Sequence, residues 1–78
     1  MGNENHDRWN ARLDAVQVRA DEGYLTDDQW RECGLECVRV MKCVERQGVG
    51  TRNLQVWARA RELANHCEVE RATYTEAK

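Results

Sequence analysis

The chain has 78 residues, a net charge of −2, 41% apolar residues and 33% charged residues. That is the size of one domain, near the lower limit at which a single hydrophobic core stabilises a chain without metals, disulfides or a partner subunit. No apolar run approaches the ~18 residues of a membrane span. The opening Met1-Gly2-Asn3-Glu4-Asn5-His6-Asp7 lacks the basic and apolar parts of a secretory signal, so the expected location is cytoplasmic, with no membrane contact and with the four cysteines as free thiols.

In chain order, Trp9, Leu13, Val16 and Ala20 recur at intervals of four, three and four, which aligns them on one stripe of a helix over about 5–22. Asn5 is the expected cap, and residues 1–5 the expected flexible lead. Gly23 ends this helix, because glycine adopts the left-handed conformation that closes a helix without a side-chain clash.

The next start signal is the clearest in the chain. Thr26 with Gln29 three residues on forms a capping box, and Leu25 with Trp30 forms the accompanying hydrophobic staple. Asp27 and Asp28 suit the positive end of the helix dipole. This second helix is expected over 27–47, with Trp30, Cys33, Cys37, Val40, Met41 and Val44 inward and Gly34 and Val38 flanking. Gly48 and Gly50 stop it. Thr51 or Asn53 is the expected cap of a third helix over 52–72, with Leu54, Val56, Trp57, Ala60, Leu63, Ala64 and Cys67 as its apolar positions. From Thr73 the pattern becomes a polar tail, expected to be flexible, with Tyr74 still on the apolar side.

Helices joined by so short a turn run antiparallel or cross steeply. In the antiparallel case, residues whose numbers sum to about 99 face each other, which sets Cys33 against His66 and Cys67, and Cys37 against Glu62 and Leu63. The sequence therefore predicts an all-α fold, a three-helix domain built on an antiparallel helical hairpin, with homodimerisation expected because the core is small.

Charge is unevenly placed along this scheme. Residues 1–38 carry nine acids and four arginines, residues 39–61 carry six cations and Glu45, and residues 62–78 carry four acids and two cations. The basic segment brackets the turn.

Within that turn, Gln47-Gly48-Val49-Gly50-Thr51-Arg52-Asn53-Leu54-Gln55-Val56-Trp57 resembles the second half of a bacterial helix-turn-helix. The resemblance implies that Leu54 and Trp57 pack inward while Arg52, Asn53, Gln55 and Arg59 face DNA. Against it stand the unbroken helix before the turn and the overall acidity of the chain. The competing reading makes the glycines an ordinary hairpin bend.

Cys33 and Cys43, with nine residues between them and Cys67 opposite, resemble the twin-cysteine helical hairpins of the mitochondrial intermembrane space. The fourth position of that pattern is here Trp57, so one of its two bridges has no partner. Cys33 and Cys37 with Cys67 or His66 would give zinc ligands, but the spacing matches no paired Cys-x-x-Cys signature. Cysteine on an apolar stripe more simply behaves as a small hydrophobe. No metal or cofactor is therefore expected.

No nucleophile with an activating base, phosphate-cradling loop or useful carboxylate pair is evident, so no enzyme is expected. Three Trp, two Tyr and ten Arg are the residue types that dominate interface hot spots. The expectation is a small non-enzymatic adaptor or inhibitor, of the kind carried by phages and other mobile elements, that binds an acidic surface of another protein. Its expected contact residues are Arg46, Arg52, Asn53, Gln55 and Arg59 near the turn, with Trp9 and Tyr74 as exposed aromatic anchors. The alternative is a DNA-binding regulator.

Overall fold

The sequence condenses into three helices in the computed structural model: α1 (Asn3–Glu22), α2 (Asp27–Gln47) and α3 (Thr51–Ala77). The structure describes the backbone of residues 3–77 and the side chains of residues 5–72. The fold is all-α, as the periodicity predicts. Two ends differ from expectation. α1 runs back to Asn3, so Asn5 is inside the helix and not its cap, and His6 accepts a hydrogen bond from Asn10 Nδ2 at 3.2 Å one turn on. α3 continues past Thr73 because its last ten residues contain neither Gly nor Pro to stop it.

The start of α2 follows the sequence closely. Thr26 is extended, the Gln29 N–H donates to its Oγ1 at 3.2 Å, and the Thr26 N–H donates to Gln29 Oε1 at 2.9 Å. Leu25 lies half-buried against the core to which Trp30 belongs, as a staple requires. A cap of this kind contributes about 1 kcal/mol. Gly23 and Gly48 close the two preceding helices with φ of +76° and +101°, where a Cβ would be strained.

The second turn corrects the expected cap of α3. The Gly50 carbonyl accepts the first helical bond, from the Leu54 N–H at 2.8 Å, so Gly50 occupies the cap position. Thr51 is already helical, and Asn53 instead donates through Nδ2 to the Gly48 carbonyl at 2.8 Å.

Short connections make the bundle up-down-up, 47 Å long and 17 × 15 Å across. The buried residues are Trp9, Leu13, Val16 and Ala20 of α1, Trp30, Cys33, Cys37, Val40 and Val44 of α2, and Val56, Ala60, Leu63 and Cys67 of α3. On every helix these repeat at alternating steps of three and four, the spacing that packs knobs into holes. The predicted register holds: Asp27 meets Arg71 at 2.8 Å, the Trp30 ring meets the His66 ring edge-on at 6.0 Å, and Gly34 lies beside Cys67. Arginine–carboxylate bridges link each helix pair, Arg12 to Glu36, Arg59 to Asp14 and Arg71 to Asp27. Partly exposed as they are, such bridges fix orientation more than they stabilise.

Candidate protein-binding surface

The Gly48–Gly50 turn projects from one end of the hairpin, and the residues around it form a basic, partly apolar tip. Arg46 ends α2, and Arg52 and Gln55 open α3; all three are exposed. Val49 and Leu54 are 48% and 49% exposed between them. Leu54 thus corrects the helix-turn-helix expectation of inward packing. The core stripe of α3 runs through Val56, Ala60, Leu63 and Cys67, and Leu54, two residues before its start, points about 200° away at 3.6 residues per turn. Trp57, adjacent to the stripe, is half-buried, with Arg61 over its ring at 5.6 Å from the centroid. Its Nε1 is buried without an acceptor among the described residues, a cost of about 1–3 kcal/mol.

The other expected contact residues separate into different roles. Arg59 reaches across to α1, donating to Asn10 Oδ1 at 2.9 Å and pairing with Asp14 at 2.5 Å, so it clamps α1 onto α3. Asn53 holds the turn through Gly48. Trp9, expected as an exposed anchor, is only 6% exposed: it opens the a/d stripe of α1 and sits in the core. Tyr74 lies outside the residues whose side chains are described. The exposed aromatic that the sequence reading missed is Tyr24 in the α1–α2 connection, 95% exposed. Its place between Gly23 and the staple residue Leu25, in a four-residue link, was the signal that it lies on no helical face.

The cysteines are free thiols. Burial pushes the Cys37 thiol up to about 12 and the Cys67 thiol to about 11, helped by the neighbouring sulfurs and by Glu36 or Glu70, and it raises Cys33 as well. All three are therefore neutral fillers near pH 7 and poor nucleophiles. Among the described residues no group of three or more His, Cys, Asp or Glu is arranged to hold a metal ion, and no helix is long and apolar enough to cross a membrane.

The geometry also bears on the helix-turn-helix resemblance. α2 is one unbroken helix of 21 residues lying along α3. The short preceding helix of that motif, which lets the recognition helix stand clear, is absent from this hairpin. Comparison with protein-family models, with curated proteins and with solved structures finds no match to this chain.

Proposed function

We propose that this chain is a small non-enzymatic adaptor or inhibitor that binds another protein through the tip of its α2/α3 hairpin. The observation that carries the reading is the pairing of two exposed aliphatic side chains, Val49 and Leu54, with Arg46, Arg52 and Gln55 around them. Apolar contact supplies the desolvated centre of an interface, and a cationic rim steers an acidic partner surface onto it. Size and helical type are those of the short accessory proteins of phages and other mobile elements that act on a host protein, and a cytoplasmic location accords with such a role.

The test is affinity capture from the native host with the wild-type chain and with a Val49→Asp/Leu54→Asp variant whose helicity is first verified by circular dichroism. The reading expects a stoichiometric protein partner with the wild type that is lost with the variant. Recovery of nucleic acid alone, retained in low salt and released in high salt, would favour the DNA-binding alternative. A protein partner held equally by both chains would place the contact elsewhere.

A further inference from the structure

The hairpin has two long sides, and α1 lies against only one of them. On the other side, α2 presents a second stripe at steps of three and four, Arg31, Gly34 with Leu35, Val38, Met41 with Lys42, and Glu45. Leu35 and Val38 are 39% and 36% exposed, Met41 is half-buried, and Arg31 and Glu45 are exposed with no ion pair among the described residues. At the Gly34 end the stripe has a shallow recess, bounded by Trp30, Arg31, Leu35, Val38, Cys67, Glu68 and Arg71.

Nothing in the folded chain itself requires Gly34. A Cβ added there would sit 3.8 Å from the Cys67 Cβ, an ordinary contact, and Gly34 has a helical φ. Glycine inside a helix costs about 1 kcal/mol relative to alanine. Its missing Cβ leaves open the recess beside Cys67.

We infer that this side of the hairpin is the interface of an antiparallel, two-fold symmetric homodimer centred on Val38. The stripe is complementary to itself when reversed about that residue. Arg31 of one copy meets Glu45 of the other, Leu35 meets Met41, and the aliphatic stem of Lys42 lies over the Gly34 recess. The same reversal lays the basic turn end of each copy toward the net acidic end of the other, where Asp27, Asp28, Glu32, Glu68 and Glu70 outnumber Arg31 and Arg71. A parallel arrangement would stack like ends. An antiparallel rod would hold its two tips at opposite ends, so the dimer extends the tip reading without depending on it.

Sedimentation equilibrium of the purified full chain tests this with no partner present. The wild type is expected at twice its 9.1 kDa monomer mass. Val38→Glu is expected to be a monomer with unchanged helicity. Glu45→Arg is expected to weaken the dimer about tenfold, and Arg31→Glu/Glu45→Arg to restore it, because the pair is exchanged and not removed. A wild type that stays monomeric at every concentration, a dimer that survives Val38→Glu, or a double variant no tighter than Glu45→Arg would each overturn the proposal. None of these outcomes touches the tip, whose test is the loss of a heterologous partner.

Discussion

The two sides of the α2/α3 hairpin are built from similar residues and end in different states. On one, α1 brings Trp9, Leu13, Val16 and Ala20 onto the seam and fastens it with Arg12 to Glu36 and Arg59 to Asp14. On the other, Leu35, Val38 and Met41 keep part of their surface in water beside the Gly34 recess. The difference shows that apolar spacing alone does not decide what is core. A third helix does, and the chain has only one to give.

That contrast can be broken by substitution. The largest expected effect is from Trp9→Ala, which removes a buried aromatic from the α1 seam and should cost about 4 kcal/mol, enough to unfold much of so small a domain. Val38→Ala on the open side should change monomer stability by less than about 0.5 kcal/mol. Chemical denaturation of both variants, at protein concentrations low enough to keep the chain monomeric, checks the pair of values, and a comparable loss at the two positions would erase the distinction.

A second effect comes from pH. Unfolded thiols ionise near 9, whereas Cys37 and Cys67 in the folded chain are held neutral up to about 12 and about 11. Their contribution is fully present below pH 9 and is lost as pH rises through the folded values, because only the unfolded state releases the protons early. Denaturation midpoints should therefore fall as pH rises from 9 to 11. Replacing Cys37 and Cys67 by alanine should flatten that slope.

Much of this architecture is legible in the sequence, and the reasons are local. Thr26, Gln29, Leu25 and Trp30 specify the start of α2 through bonds spanning only a few residues. The stripes of α1 and α2 are unambiguous because polar residues separate them. α3 is harder to read: Leu54, Val56, Trp57, Ala60, Leu63, Ala64, Cys67 and Val69 surround the helix, so no periodicity selects the buried face. Only packing against α2 assigns Val56 inward and Leu54 outward. Trp9 is buried against expectation for a related reason, since closeness to a chain end says nothing about which layer a residue joins. Arg46 and Arg52 lie beside the turn, but sequence does not distinguish Arg46, which faces solvent, from Arg59, which finds Asp14 across 45 positions of chain.

The arrangement on the open side is most directly tested by engineered cross-links in a Cys43→Ala background, where the three remaining cysteines are buried. Under mild oxidation Val38→Cys should give a disulfide-linked dimer, because the two-fold axis sets the two Val38 positions face to face. Leu35→Cys should not, because its counterpart across the axis is Met41. Cross-linking at neither position would remove the dimer, and cross-linking at both alike would replace the antiparallel arrangement with a parallel one.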